Sequence, residues 1–493
     1  MELLKETNWD LVISGTGLQR SLLVLALSRS NKKILHIDIN SYYGDTDAAL
    51  SLDELSDWVN KYKGSGNDVF RNACLQKSTN SEGLAKLFGS RSYTLTLSPF
   101  IIYAKSKLLS KLISSNAYRQ LEFQAVGNWW IIDTANKEQK LQKLPNGRED
   151  IFQDNSIDNR LKRNLMKFLR FIMDYKNQTK VWEVYSEKPL HEFLSSQFSI
   201  PLNLQNAIVG LTLTLYTPDQ TMVSWALPRI HRHFNSFGTL GPGICAVVSK
   251  WGCGAEISQI ACRAGAVGGT VYMLGTGIEA YYPIKNAQEF LEVKLTNGCI
   301  IKTKHLLTSP DETPKNSVRV SRVIAITSSS YQNLLKSNID AAPPSAVAII
   351  VFPSGSLNDK SSITYQNPVY IMIHSSETGE CPHGQYILYA TTLASANSEK
   401  ILEAAFIELS KHADKSDGTI LYSLYYEFSS KSSDVKQNHG HHEQPIDLAF
   451  NDQIIDDVEA EWQEIMGSEG KSETFMNFDD RDSMISEEET SDF

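Results

Sequence analysis

The sequence predicts an α/β protein whose large domain opens on a Rossmann-type βαβ unit, carries mixed sheets and holds an inserted, all-helical second domain. Three observations predict it. The chain opens on a short apolar run, a glycine turn and an apolar helical stretch. The middle of the chain then repeats its apolar residues at helical spacing. Beyond residue 290 the hydrophobic period changes to two.

Taken in order, Trp9-Asp10-Leu11-Val12-Ile13 reads as a buried strand, Ser14-Gly15-Thr16-Gly17 as a tight turn and Leu18 to Leu27 as a helix. Ile34 to Asp38 is a second strand, ending in an acid 23 residues after Gly15, as a dinucleotide-binding unit would have it. Pro99 to Ile113 carries apolar residues on helical spacing, and Asp158 to Tyr175 places Leu161, Leu165, Phe168 and Ile172 on one face. Leu190 to Tyr216 continues that style up to Thr217-Pro218. Glycines thicken from Gly238 to Gly277. Phe290 to Leu295, the Asn297-Gly298 turn and Ile300 to Lys304 form a hairpin signal. Val347–Phe352, Tyr370–His374, Gln385–Thr391 and Thr419–Phe428 are further strands, with an amphipathic helix over Ser395–His412. The expected division is 1–140 with 235–450 as the large domain and 141–234 as the helical one. Residues 456–493 read as a flexible acidic tail.

Charge sharpens that division. The chain has 493 residues and a net charge of −10, yet residues 456–493 alone hold 14 acids against Lys471 and Arg481. The rest is nearly balanced, which argues against nucleic acid as a partner. The six cysteines include no Cys-x-x-Cys pair, and no apolar run approaches the ~20 residues of a membrane helix. The N-terminus carries acids where a signal peptide carries bases. The expectation is an intracellular protein without structural disulfides.

A dinucleotide fingerprint would be Gly-x-Gly-x-x-Gly. Here Gly15 and Gly17 are followed by Arg20 in the third glycine's place. That arginine either pushes the helix away or fills the phosphate site, so the expected cofactor is none. No catalytic constellation stands out: there is no Gly-x-Ser-x-Gly elbow, Walker loop or His-Glu-x-x-His. His439, His441 and His442 with Glu443 sit in a polar stretch and read as a solvated loop. His231 and His233, flanking Arg232, read as surface or core histidines. No metal site is expected.

Specific resemblance begins with Asp10 to Leu18 and Leu35-His36-Ile37-Asp38 through Tyr42-Tyr43-Gly44. These blocks resemble the start of the Rab GDP-dissociation inhibitor and Rab escort protein superfamily. That superfamily has a flavoprotein-like fold and binds Rab GTPases instead of flavin. Trp251-Gly252-Cys253-Gly254-Ala255-Glu256 through Arg263 to Leu274 resembles the second Rab-binding segment of the superfamily. The resemblance runs, with gaps, from about residue 9 to 430. Leu144 to Phe152 and Lys162 to Leu169 resemble the escort branch more than the inhibitor branch.

The resemblance implies a non-catalytic adaptor that binds GDP-loaded Rab and presents it to Rab geranylgeranyltransferase. It then keeps the prenylated product soluble until a membrane receives it. Tyr43, Glu256, Gln259, Arg263 and Met273 would form the Rab-binding platform, and Phe152 with Arg163 would dock on the transferase α subunit. Leu165, Phe168, Leu169 and Ile172 would shield the geranylgeranyl lipid, and the helix at 99–113 would lie where the Rab C-terminus is gripped. A cytoplasmic location with transient, peripheral membrane contact follows. Two departures from the pattern stand out: Gly44-Asp45 where the family has two glycines, and Ala255 as an extra residue. Two other readings remain: a dissociation inhibitor that recycles prenylated Rab, and a flavin oxidoreductase.

Overall fold

A computed structural model describes residues 4, 6–64, 66, 69–77, 86–133, 140–144, 157–284, 290–308, 317–337, 343–358, 364–414, 418–431, 446–471 and 473–479. Its main helices are α1 (Leu18–Leu27), α2 (Leu52–Tyr62), α3 (Lys107–Ser114), α4 (Asn159–Met173) and α5 (Leu190–Phe198). They continue as α6 (Leu202–Gly210), α7 (Val223–Ser236), α8 (Gly254–Val267), α9 (Ser398–Ser410) and α10 (Gln453–Met466).

The opening run forms the strand Asn8–Ser14, which pairs in parallel with Ile34–Asp38 on one side and Ile300–Leu307 on the other. Val271–Leu274 adds in parallel beyond Ile34–Asp38, and the antiparallel strands Leu291–Leu295 and Ile278–Pro283 complete six strands. A ten-stranded sheet, mostly antiparallel, forms most of the rest of the large body and includes strands at 347–352, 369–374, 386–393 and 420–431, where strands were expected at 347–352, 370–374, 385–391 and 419–428. Three of its strands, Phe70–Lys77, Phe123–Ile132 and Ser317–Thr327, carry no clean alternation, and the sequence reading passes over them.

Three sequence expectations need correction. Residues 99–106 are not helical: Ile102–Tyr103 is a strand, and α3 begins only at Lys107, where the Ser106 hydroxyl accepts from the Leu108 amide. Leu141–Lys143, assigned to the helical domain, pairs with Trp130–Ile132 of the large sheet. The stretch expected to be a flexible acidic tail instead holds α10 and a packed segment among its described residues, 456–471 and 473–479. Ile455, Val458, Trp462 and Met466 recur at i, i+3, i+7 and i+11 on α10 and are buried. The reason lies in α1, which is apolar on every side and needs cover beyond the sheet; α10 lies in the same core cluster and supplies it.

Between these sheets and the tail, α4 to α7 share an aromatic core of Phe168, Phe171, Phe193, Phe198 and Trp225. Asp447 ties it to the segment after the large sheet. Its carboxylate accepts from Arg229 Nε at 2.6 Å and Arg232 Nη2 at 3.3 Å.

Candidate functional site

The glycine turn after the first strand is where a dinucleotide would be expected, and its polar groups are already used. Asp38 accepts from Thr16 N and Thr16 Oγ1 at 2.7 and 2.6 Å through one oxygen, and from Asn40 N and Nδ2 at 2.8 and 3.1 Å through the other. The start of α1, the natural seat of a pyrophosphate, instead has the Asp47 carboxylate accepting from Leu18 N at 3.1 Å. A second negative charge there would be repelled. Arg20 does not fill the phosphate seat. It points the other way, donating to Glu461 Oε2 of α10 at 2.6 Å and to the Thr308 carbonyl. These residues do not fit a dinucleotide. Among the described residues there is also no group of three or more His, Cys, Asp or Glu suited to a metal. His439, His441 and His442 lie outside the described residues.

Around this turn the fold builds an outward-facing surface. The Trp251-Gly252-Cys253 turn has φ of +60°, +112° and +54°, and it aims α8. Glycine is required at 252, where a Cβ would stand 2.4 Å from that of Ala49. The helices α1 and α8 pack closely because Gly265 faces Val24; a Cβ there would fall 2.3 Å from Val24 Cγ1. Glu256, Gln259 and Arg263 then lie at i, i+3 and i+7 on one stripe of α8, the first half-buried and the other two exposed. Burial raises the pKa of Glu256.

Tyr43 joins this face. Its ring meets Tyr272 edge-on at 5.9 Å between centroids, and burial raises its pKa, with Cys262 of α8 the second contributor. Asp45, standing where a second glycine was expected, takes φ +47°, a left-handed conformation that Asp tolerates. The extra Ala255 is buried at the start of α8. Met273 is not brought onto this face: alternation along its strand sends it to the other side of the sheet, among Trp9, Val12 and Ile37. Sequence reasoning missed Ile39 and Val267, apolar side chains that are 67% and 73% exposed beside this surface. Ile39 carried a faint signal, an apolar residue placed directly after the acid that ends its strand.

On α4, Arg163 is exposed, in line with Lys167 and Arg170. Phe152 lies outside the described residues. On the opposite side of α4, Leu165, Phe168 and Leu169 line a wholly apolar cavity of about 40 Å³, closed by Leu204, Ile208 and Phe234. Ile172 is not on it; it is fully buried within the helical core. His233 is a core histidine, edge-on to Trp129, with its pKa pushed down to about 3 by burial. His231 is half-buried against Tyr175.

Comparison with known proteins identifies the family and the fold. The sequence matches the family described as GDI: GDP dissociation inhibitor over residues 5–471. It is 32% identical over 400 residues to the Saccharomyces cerevisiae protein named Rab proteins geranylgeranyltransferase component A, covering 80% of this chain and 63% of that one. The chain thus spans less than two thirds of that relative's length. Among solved structures, the RAB GDI of Plasmodium falciparum superposes with a TM-score of 0.63 at 18% identity, covering 93% of this chain and 98% of that one. An oxidoreductase from Methanosarcina mazei gives 0.54 at 11% identity, with 89% and 90% covered. The α/β, flavoprotein-like fold expected from the sequence is shared with both. With a dinucleotide turn filled by its own carboxylates and a family match across nearly its whole length, this chain belongs to the GDP dissociation inhibitor family.

Proposed function

We propose that the chain is a Rab escort protein: an accessory, non-catalytic subunit that binds GDP-loaded Rab GTPases and presents them to Rab geranylgeranyltransferase. It then carries the prenylated product to a membrane, working from the cytoplasm with transient peripheral contact. The observation that carries this reading is the α8 stripe of Glu256, Gln259 and Arg263 beside Tyr43, set outward on a fold whose cofactor turn is shut. An aromatic, an arginine and hydrogen-bonding groups on a rigid helix suit a protein partner. The name of the yeast relative supports the escort role.

On this reading Arg163, with Phe152, meets the transferase α subunit, and the lipid enters between α4 and α6 at Leu165, Phe168 and Leu169. A geranylgeranyl chain carries on the order of 10 kcal/mol of membrane affinity at about 0.8 kcal/mol per CH₂, so a soluble carrier has to bury most of it. The cavity of about 40 Å³ has room for a few waters at most, far less than a geranylgeranyl chain needs. Lipid entry therefore requires α4 and α6 to part. The recycling inhibitor is the second reading, supported by the family match; it predicts no affinity for the transferase.

The deciding experiment is prenylation of purified Rab by purified transferase with and without this chain. Modification that depends on the chain is expected. Modification at the same rate without it would remove the escort role.

A further inference from the structure

One face of the helical domain carries charge that the fold itself does not use. Residues 157–236 hold ten Lys and Arg against six Asp and Glu, in a chain of net charge −10. Four of the ten, Arg160, Arg163, Lys167 and Arg170, stand at i, i+3, i+7 and i+10 on α4, and all four are exposed. At a rise of about 1.5 Å per residue they run along roughly 15 Å of helix. Lys167 Nζ donates to the Gln197 carbonyl at 3.2 Å and lies 5.4 Å over the Phe198 ring. The guanidinium groups of Arg160, Arg163 and Arg170 have no hydrogen-bond or ion-pair partner among the described residues. The acids of this stretch are at the two ends of the helix, Asp158 and Asp174. Asp174 is engaged elsewhere, accepting from Asn177 Nδ2 at 2.6 Å and Gln178 Nε2 at 3.3 Å. Like charges at this spacing repel one another, a cost that no contact within the domain offsets.

An occupant of this stripe carries negative charge, and the form of the stripe favours a lipid surface over a protein. A protein interface concentrates its affinity on a few anchors seated in pockets. Here the cations lie in an even line, and the exposed residue one turn beyond Arg170 is Met173. A basic amphipathic helix of this kind suits an anionic membrane. Salt screens charge beyond about 8–10 Å, so a membrane in front of α4 responds to the stripe and not to the net charge of the chain. The reverse side of α4 supplies a second argument. Leu165, Phe168 and Leu169 line the apolar cavity there, so a bilayer held on the stripe lies one helix diameter, about 10 Å, from it. A lipid chain and a polybasic patch together give the anchoring that neither gives alone.

We infer that Arg160, Arg163, Lys167 and Arg170 form a docking face for anionic lipid membranes, where the chain releases its lipid cargo from behind α4. Release behind α4 rests on the lipid-carrier reading of the cavity; docking of the stripe does not.

The test uses the full chain in co-sedimentation with phosphatidylcholine vesicles, with or without about 30 mol% phosphatidylserine. At 50 mM NaCl the chain is expected to bind the phosphatidylserine vesicles at least about tenfold tighter, and to lose most of that binding at 500 mM. Arg160→Glu with Arg170→Glu should weaken it by at least about tenfold. A control places the same change of net charge on exposed residues of the large domain, Lys302→Glu with Lys400→Glu, and should weaken it by less than about twofold. Equal binding of the two vesicle types, or equal losses in the two double variants, overturns the docking face. So does a stripe variant that loses the transferase but not the vesicles, since the partner is then a protein. In a second arm, transfer of prenylated Rab from the chain to phosphatidylserine vesicles should slow at least about threefold in the stripe variant. An unchanged rate overturns release at α4. A chain that binds the vesicles through its stripe but does not support Rab prenylation removes the escort reading and leaves the docking face in place.

Discussion

Two helices lie side by side on one face of the six-stranded sheet and treat their polar residues in opposite ways. Nine of the ten residues of α1 are buried, and its arginine is spent inside the protein on Glu461 and a carbonyl. Its N-terminus is capped from within by Asp47. On α8 the buried face is just as apolar, yet Gln259 and Arg263 are turned to solvent along one stripe. In a dinucleotide enzyme α1 would carry the chemistry. Here that turn and its helix serve as scaffold, and the helix beside them faces outward. Substitutions around α1 should therefore cost stability, and those on the α8 stripe should cost binding.

The largest expected effect lies at Asp38. Replacing it with Ala leaves the amides of Thr16 and Asn40 and the Thr16 hydroxyl without their acceptor in a buried setting, and the Asn40 amide group with only Asp45 Oδ1 at 3.3 Å. A loss of about 3–5 kcal/mol in urea unfolding is expected. A loss below about 1 kcal/mol would mean that the turn is not the scaffold described.

Acid should act on the same turn. His36 is buried, its Nε2 donates to the Gly15 carbonyl at 2.7 Å, and burial pushes its pKa down to about 4. The unfolded chain takes up that proton near 6.5 and the folded chain only near 4. The contribution is thus complete above about 6.5 and is lost as pH falls from there toward 4. Each such group costs about 1.4 kcal/mol per pH unit in that window. Between pH 6.5 and 5, His36→Gln should lose about 1–2 kcal/mol less than the unmodified chain, while the buried His233 remains as a second acid-sensitive group in both. Parallel stability–pH curves for the two would show that His36 is not carrying the effect.

Much of this was legible in the residues. The βαβ start, the hairpin at 290–304 and the helix at 159–173 follow from period and turn chemistry, whereas Arg20, which breaks the glycine pattern, turns away from the phosphate seat it was expected to fill or crowd. What closes that site was not legible: Asp47 reaches α1 through a loop 29 residues on, and no local pattern announces it. The tail helix was legible and missed, because a dense run of acids masked the spacing of Ile455, Val458, Trp462 and Met466. Met273 shows the reverse error. A matching segment places a residue in a strand, but only the strand's alternation decides which face it takes, and its neighbour Tyr272 holds the Tyr43 side.

The smallest expected effect on stability is the most telling for function. Arg263 is exposed on α8, so Arg263→Ala should change unfolding by no more than about 0.5 kcal/mol. A central arginine in a protein interface commonly carries more than 1 kcal/mol of binding, so the same variant should weaken GDP-loaded Rab by about tenfold or more in calorimetry. Gln259→Ala, one turn away on the same stripe, should weaken it less and leave folding equally untouched. Stability and binding that fall together in these variants would make α8 a second scaffold helix, and its contrast with α1 would disappear. Binding that falls alone would locate the partner on the side of the sheet where Tyr43 stands.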